Sequence, residues 1–79
     1  MARSAKLDPA LGVALRRLRE SRGMTQEQVG QAAGLTLGSY GRIERSEVSP
    51  AWTTVQAIAG ALGISMKDLG AAVDQRGSS

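Results

Sequence analysis

The chain lacks cysteine and histidine altogether. Without cysteine there is no disulfide to staple a fold and no thiolate to hold a metal. Without histidine as well, a zinc site loses its usual ligands and an imidazole general base is excluded. Nothing in the sequence asks for a metal or any other cofactor. Phenylalanine is missing too, and one Trp and one Tyr are the only aromatic residues. The core must therefore be built from Leu, Ile, Val and Ala, which suit short crossing helices better than sheets. No stretch alternates apolar and polar residues over the length of a strand. No apolar run approaches bilayer length, and the N-terminus lacks a signal-peptide core, so a soluble cytoplasmic protein without membrane association is expected. An enzyme built from this inventory would have to rely on Asp, Glu, Lys, Ser or Tyr. The acidic residues are scattered over helix starts and ion pairs, and no glycine-rich phosphate loop or paired-carboxylate cluster is present. Catalysis on a small-molecule substrate is not expected.

What remains is a chain of 79 residues, 42% hydrophobic, with a net charge of +3. That is enough for one all-α domain near the lower size limit for a self-supporting core. The basic balance favours an anionic partner.

The most organised stretch is residues 25–45, TQEQVGQAAGLTLGSYGRIER. Thr25 followed three residues later by Gln28 is a capping box and predicts a helix over 26–33. Val29 and Ala33 share one face of it. Gly34 supplies a left-handed turn position. Leu35 then points inward, and Thr36 caps a helix over 37–45 whose inner face is Tyr40 and Ile43. Gly30 precedes Gly34 by four residues, where two steeply crossing helices need almost no side chain. These offsets describe a helix-turn-helix, a motif that on a basic domain places its second helix in the DNA major groove. Gly38 and Gly41 each cost that helix about 1 kcal/mol relative to alanine. Both are expected on the face away from Tyr40 and Ile43. Either they let the backbone approach a sugar-phosphate strand, or they are weak positions held by packing.

Residues 1–7 form a basic flexible arm, either a frayed terminus or an arm whose Arg3 and Lys6 reach DNA. A domain over 8–73 follows. Asp8-Pro9 predicts a helix from 9 to 21 or 22, with Leu11, Ala14, Leu15 and Leu18 inward and Arg16, Arg17 and Glu20 on a solvated face. Gly23 closes it, and Met24 packs under the turn. Ser49-Pro50 marks a fourth helix over 51–62, with Val55, Ile58, Ala59 and Leu62 on one face and Gly63 at its end. Ser65 with Asp68 opens a short fifth helix over 66–73, whose stripe is Met66, Leu69 and Val73. Residues 74–79, DQRGSS, are polar and expected to be disordered.

With these positions in place, the chain resembles the phage-repressor family of helix-turn-helix proteins, also called the Cro-like or xenobiotic-response-element type. The resemblance runs from Leu11-Gly12, Leu15 and Leu18-Arg19 through Gly23-Met24-Thr25-Gln26, Val29, Gly30 and Gly34-Leu35-Thr36. It continues with Ile43-Glu44-Arg45, Pro50, Ile58-Ala59, Ala61-Leu62-Gly63-Ile64 and Leu69. It implies a compact five-helix, lambda-repressor-like DNA-binding domain. Gln26 matches the family glutamine that bonds a phosphate and braces the third helix, and Thr36 its cap. Leu37, Gly38 and Arg42 occupy positions that in the family face base edges, with Ser39 close by. Arg45 and Ser46 are expected at phosphates, with Ser49 nearby. Arg19 and Glu44 match a structural ion pair between the first and third helices.

Leu37 and Gly38 replace polar readers found in members with strong sequence specificity, and Ser46 stands where the family usually has glycine. Family members generally bind two half-sites as a dimer. Trp52, Ile64, Met66, Leu69 and Val73 are the candidate dimer face here, although the stripe on the fifth helix could equally cap its own bundle. Three functions follow. The chain is a transcriptional regulator bound to double-stranded DNA, a DNA-binding antitoxin partnered by a toxin, or an adaptor that has kept the fold and lost DNA contact. The sparse readers Leu37, Gly38 and Gly41 keep the third open.

Overall fold

Three threonine and serine hydroxyls start three of the helices. In the computed structural model, which describes residues 9–77 with side-chain surroundings to Asp74, the helices are α1 (Ala10–Ser21), α2 (Gln26–Ala32), α3 (Leu37–Glu44), α4 (Trp52–Leu62) and α5 (Met66–Gly77). No strand occurs among the described residues. Thr25 closes a full capping box: the Gln28 amide donates to Thr25 Oγ1 at 3.0 Å and the Thr25 amide to Gln28 Oε1 at 2.8 Å. The Ser39 amide donates to Thr36 Oγ1 at 3.0 Å, and the Asp68 amide to Ser65 Oγ at 3.0 Å. Each bond satisfies a donor that the first turn of a helix leaves free, worth about 1 kcal/mol against alanine.

α1 lies along α5 and against α3, while α2 packs on α3 and α4. The core is Leu15, Val29, Tyr40, Ile43, Ile58, Ala59, Leu62 and Leu69. Burying each of the larger aliphatic side chains contributes about 1.5–3 kcal/mol. Leu11, Leu18, Met24, Ala33, Leu35 and Val55 pack around this cluster.

Two glycines set the helix-turn-helix. Gly34 adopts φ +78°, the left-handed step that turns the chain between α2 and α3. Gly30 is needed for room: a Cβ there would lie 3.2 Å from the Leu35 carbonyl oxygen and 3.3 Å from Tyr40 Cβ. The Leu35 amide donates to the Gly30 carbonyl at 2.7 Å, which locks the turn onto α2.

Three boundaries differ from the sequence reading. α1 begins at Ala10, and Pro9 precedes it, its carbonyl accepting the Val13 amide at 3.0 Å. The expected Asp8 cap and the arm at 1–7 lie outside the described residues. α4 begins at Trp52 behind Ala51, which offers no side-chain cap, so Ser49-Pro50 shapes the approach and does not start the helix. α5 continues past Val73 to Gly77, four residues beyond the end expected from the sequence. Polar composition had suggested a tail, but nothing at 74–76 breaks a helix, and the next glycine is Gly77 itself. Residues 78 and 79 lie outside the described residues. No described helix is long and apolar enough to cross a membrane.

Candidate nucleic-acid interface

The exposed side of α3 is narrow because its other side is the core. Tyr40 and Ile43 are buried, and Thr36, Leu37, Gly38, Ser39 and Arg42 are exposed. Leu37 is 51% exposed. A Cβ added at Gly38 would meet nothing within 4 Å. The fold therefore has no need of glycine at that position, and the helix bears its propensity cost without a packing return.

Gly41 departs from expectation. It is buried, and a Cβ there would lie 2.9 Å from Arg45 Nη1 and 3.6 Å from Gln26 Oε1. It lies beneath those two side chains, which cover it although Gly38, three residues earlier, is open. It seats the Arg45 guanidinium over α3 and is not part of the open face.

Behind α3, the expected ion pair is present and buried. Arg19 Nε donates to Glu44 Oε2 at 2.6 Å and Nη2 to Oε1 at 3.1 Å, while Nη1 donates to the Met24 carbonyl at 2.9 Å. The Arg19 and Glu44 side chains are only 12% and 2% exposed. Gln26 Nε2 adds a bond to Glu44 Oε1 at 2.9 Å, so α1, α2 and α3 meet at one carboxylate. Burial pushes the Glu44 carboxyl up, but hydrogen bonds, foremost those from Arg19, outweigh it and hold the group below its ordinary value. The Tyr40 hydroxyl is buried beside this pair without closing a hydrogen bond. Loss of hydration, and then the Glu44 carboxylate, raise its pKa, so it stays protonated.

Outside this brace is a cleft of about 340 Å³ lined by Arg16, Arg19, Gln26, Glu44 and Arg45. Two arginines at it already have exposed carboxylate partners: Arg16 donates to Glu20 at 3.0 Å and Arg45 to Glu47 at 2.7 Å. Sequence reasoning assigned Arg16 to a solvated face and gave Glu47 no role. Arg16 stands three residues before Arg19, a spacing that puts both on one side of α1 and could have linked it to the cleft. Arg45 and Glu47 are two apart in a loop, where no periodicity applies.

Ser46, where the family usually has glycine, adopts φ 62°, the one positive φ at a non-glycine among the described residues. Its Oγ sits at α1, 2.8 Å from where a Gly12 Cβ would be. It is half-buried, while Ser49 is exposed.

The expected dimer face is corrected in part. Leu69 is 2% exposed and belongs to the core, and Ile64, Met66 and Val73 pack against that core. The stripe on α5 is covered by α1 and α4 of the same chain. Trp52 alone of the five stands out, at 64% exposed.

Comparison with known proteins places this geometry. Residues 10–72 match the family described as a helix-turn-helix domain. An immunity repressor protein of Bacillus phage phi105 is 37% identical over 54 residues, which cover 68% of this chain and 38% of the phage protein. This chain thus spans well under half the length of that relative. Among solved structures, the clp gene regulator ClgR of Corynebacterium glutamicum superposes with a TM-score of 0.81 at 27% identity, covering 85% of this chain and 71% of that one. The restriction-modification controller protein C.AhdI of Aeromonas hydrophila gives 0.73 at 30% identity, covering 76% and 91%.

Proposed function

We infer, from the premise that this chain belongs to the helix-turn-helix domain family, that it is a DNA-binding transcription regulator acting in the cytoplasm as a homodimer. The observation that carries this reading is the contrast across α3. One side is clamped by the Arg19–Glu44–Gln26 brace, and the other exposes Thr36, Leu37, Gly38, Ser39 and Arg42. A recognition helix needs that rigidity behind and that openness in front.

In this reading Arg42 donates to guanine O6 and N7, and Leu37 touches a thymine methyl. Gly38 brings the backbone close to the groove, and Ser39 reaches an adjacent base edge. Gln26, Thr36, Arg45 and Ser46 hold phosphates, which position the helix without reading sequence. One module of this size buries too little surface for high affinity, so two copies pair around the exposed Trp52. With few polar readers, discrimination rests mainly on Arg42, at about 1–3 kcal/mol per guanine.

Selection from a pool of random duplexes, with sequencing of the bound fraction, tests this. The expected product is a palindrome with a guanine in each half-site and half-sites about one helical turn apart. If each subunit neutralises about three phosphates, the salt slope is near −5. Retention without any enriched motif would contradict sequence reading by Arg42.

A further inference from the structure

Arg45 and Glu47 flank the left-handed residue Ser46 at the end of α3. Arg45 Nε donates to Glu47 Oε2 at 2.7 Å, and Nη2 approaches Oε1 at 3.5 Å. The two side chains are 56% and 50% exposed, so water reaches both. Arg45 also lies at the cleft with Arg16, Arg19, Gln26 and Glu44, its guanidinium seated over buried Gly41. The arginines there differ in how firmly they are committed. Arg19 is locked by Glu44 and the Met24 carbonyl, whereas among the described residues Arg45 is held only by a carboxylate on the following loop.

A carboxylate and a phosphate present the same chemistry to a guanidinium: two oxygens, negative charge and a geometry that accepts paired N–H donors. An exposed ion pair is weakly held, so such an exchange meets little resistance. We propose that Glu47 is a built-in competitor for Arg45, a carboxylate that occupies the guanidinium in the free protein and gives way to a DNA phosphate. This rests on the DNA-binding reading and adds to it a residue that lowers affinity. Glu47 remains charged throughout the neutral range, because Arg45 chiefly holds its carboxyl below the ordinary value. Since phosphates carry no sequence information, the competition weakens binding to every duplex alike and leaves base preference unchanged. It raises the threshold for non-specific retention on a protein whose net charge is already positive.

A two-residue cycle tests the idea: wild type, Glu47→Gln, Arg45→Met and the double variant, each titrated with one random-sequence duplex at fixed low salt. Glu47→Gln should tighten binding by about two- to fivefold, the range that opening an exposed pair implies. In the Arg45→Met background the same change should give no gain, because no guanidinium remains to be released. An equal gain in both backgrounds means that Glu47 acts only as bulk negative charge, and that overturns the proposal. No gain in either background also overturns it while leaving DNA binding intact. Failure of all four proteins to bind any duplex sinks the functional reading and the competitor with it.

Discussion

Replacing Glu44 by alanine should lower the unfolding free energy by about 3–5 kcal/mol, because it strands the Arg19 guanidinium in a buried site. Arg19 has no other carboxylate within bonding distance among the described residues; its remaining bond is to the Met24 carbonyl. Such a loss is a large share of the stability of any small domain. Chemical denaturation should show it as a lower midpoint at an unchanged slope. The pair also imposes a pH dependence of known sign. Glu44 titrates below its ordinary value of 4.5 in the folded state, so its contribution is complete above that pH. It is then lost as the pH falls through the folded value. The wild type should therefore lose stability on acidification below about pH 4.5 more steeply than Glu44→Gln, which has no proton to gain. Parallel curves for the two proteins would mean that Arg19 does not stabilise the ionised carboxylate.

Gly12→Ala should be the most damaging of the small changes. A Cβ at Gly12 would lie 2.4 Å from the Glu44 carbonyl oxygen, a backbone atom with no rotamer to escape into, and 2.8 Å from Ser46 Oγ. α1 and α3 must separate to admit it, at a cost of about 2–3 kcal/mol, and the Arg19–Glu44 geometry opens with them. Gly38→Ala provides the opposite case: its added methyl enters open space, so improved helix propensity should stabilise the domain by about 1 kcal/mol. Thermal unfolding of the two variants should thus move in opposite directions from the wild type. Loss of DNA affinity in the more stable Gly38→Ala protein would mark that glycine as a functional choice.

Much of this fold is local in origin and for that reason legible in the sequence. Thr25, Thr36 and Ser65 act within three residues of themselves, so their helix starts follow from spacing alone. Gly34 and Gly63 end their helices through a backbone conformation few other residues accept. α4 has no capping side chain, and its start was displaced accordingly. The stripe on α5 had an ambiguity of another kind. Apolar residues at helical spacing reveal that a face is covered, but not by what, and Leu69 is covered by its own chain. Gly38 and Gly41 are equivalent as sequence, yet only the packing of Arg45 and Gln26 over one of them tells them apart. The Arg19–Glu44 pair lies 25 residues apart and was reached through family resemblance, since no periodicity links α1 to α3. The Arg45–Glu47 contact depends on a left-handed serine, a backbone state that the residue type itself disfavours.

The DNA surface proposed for this chain is the exposed side of α3 together with the arginine beyond it. Its most direct test is equilibrium retention of a random-sequence duplex at two salt concentrations, comparing wild type with Arg42→Glu/Arg45→Glu. Both side chains are exposed, so the variant's helical circular dichroism serves as the control for folding. Wild-type retention should weaken steeply with salt, and the folded variant should retain little DNA even at low salt. Equal retention by both proteins, with the fold intact, would contradict it and place the anionic contact elsewhere on the molecule.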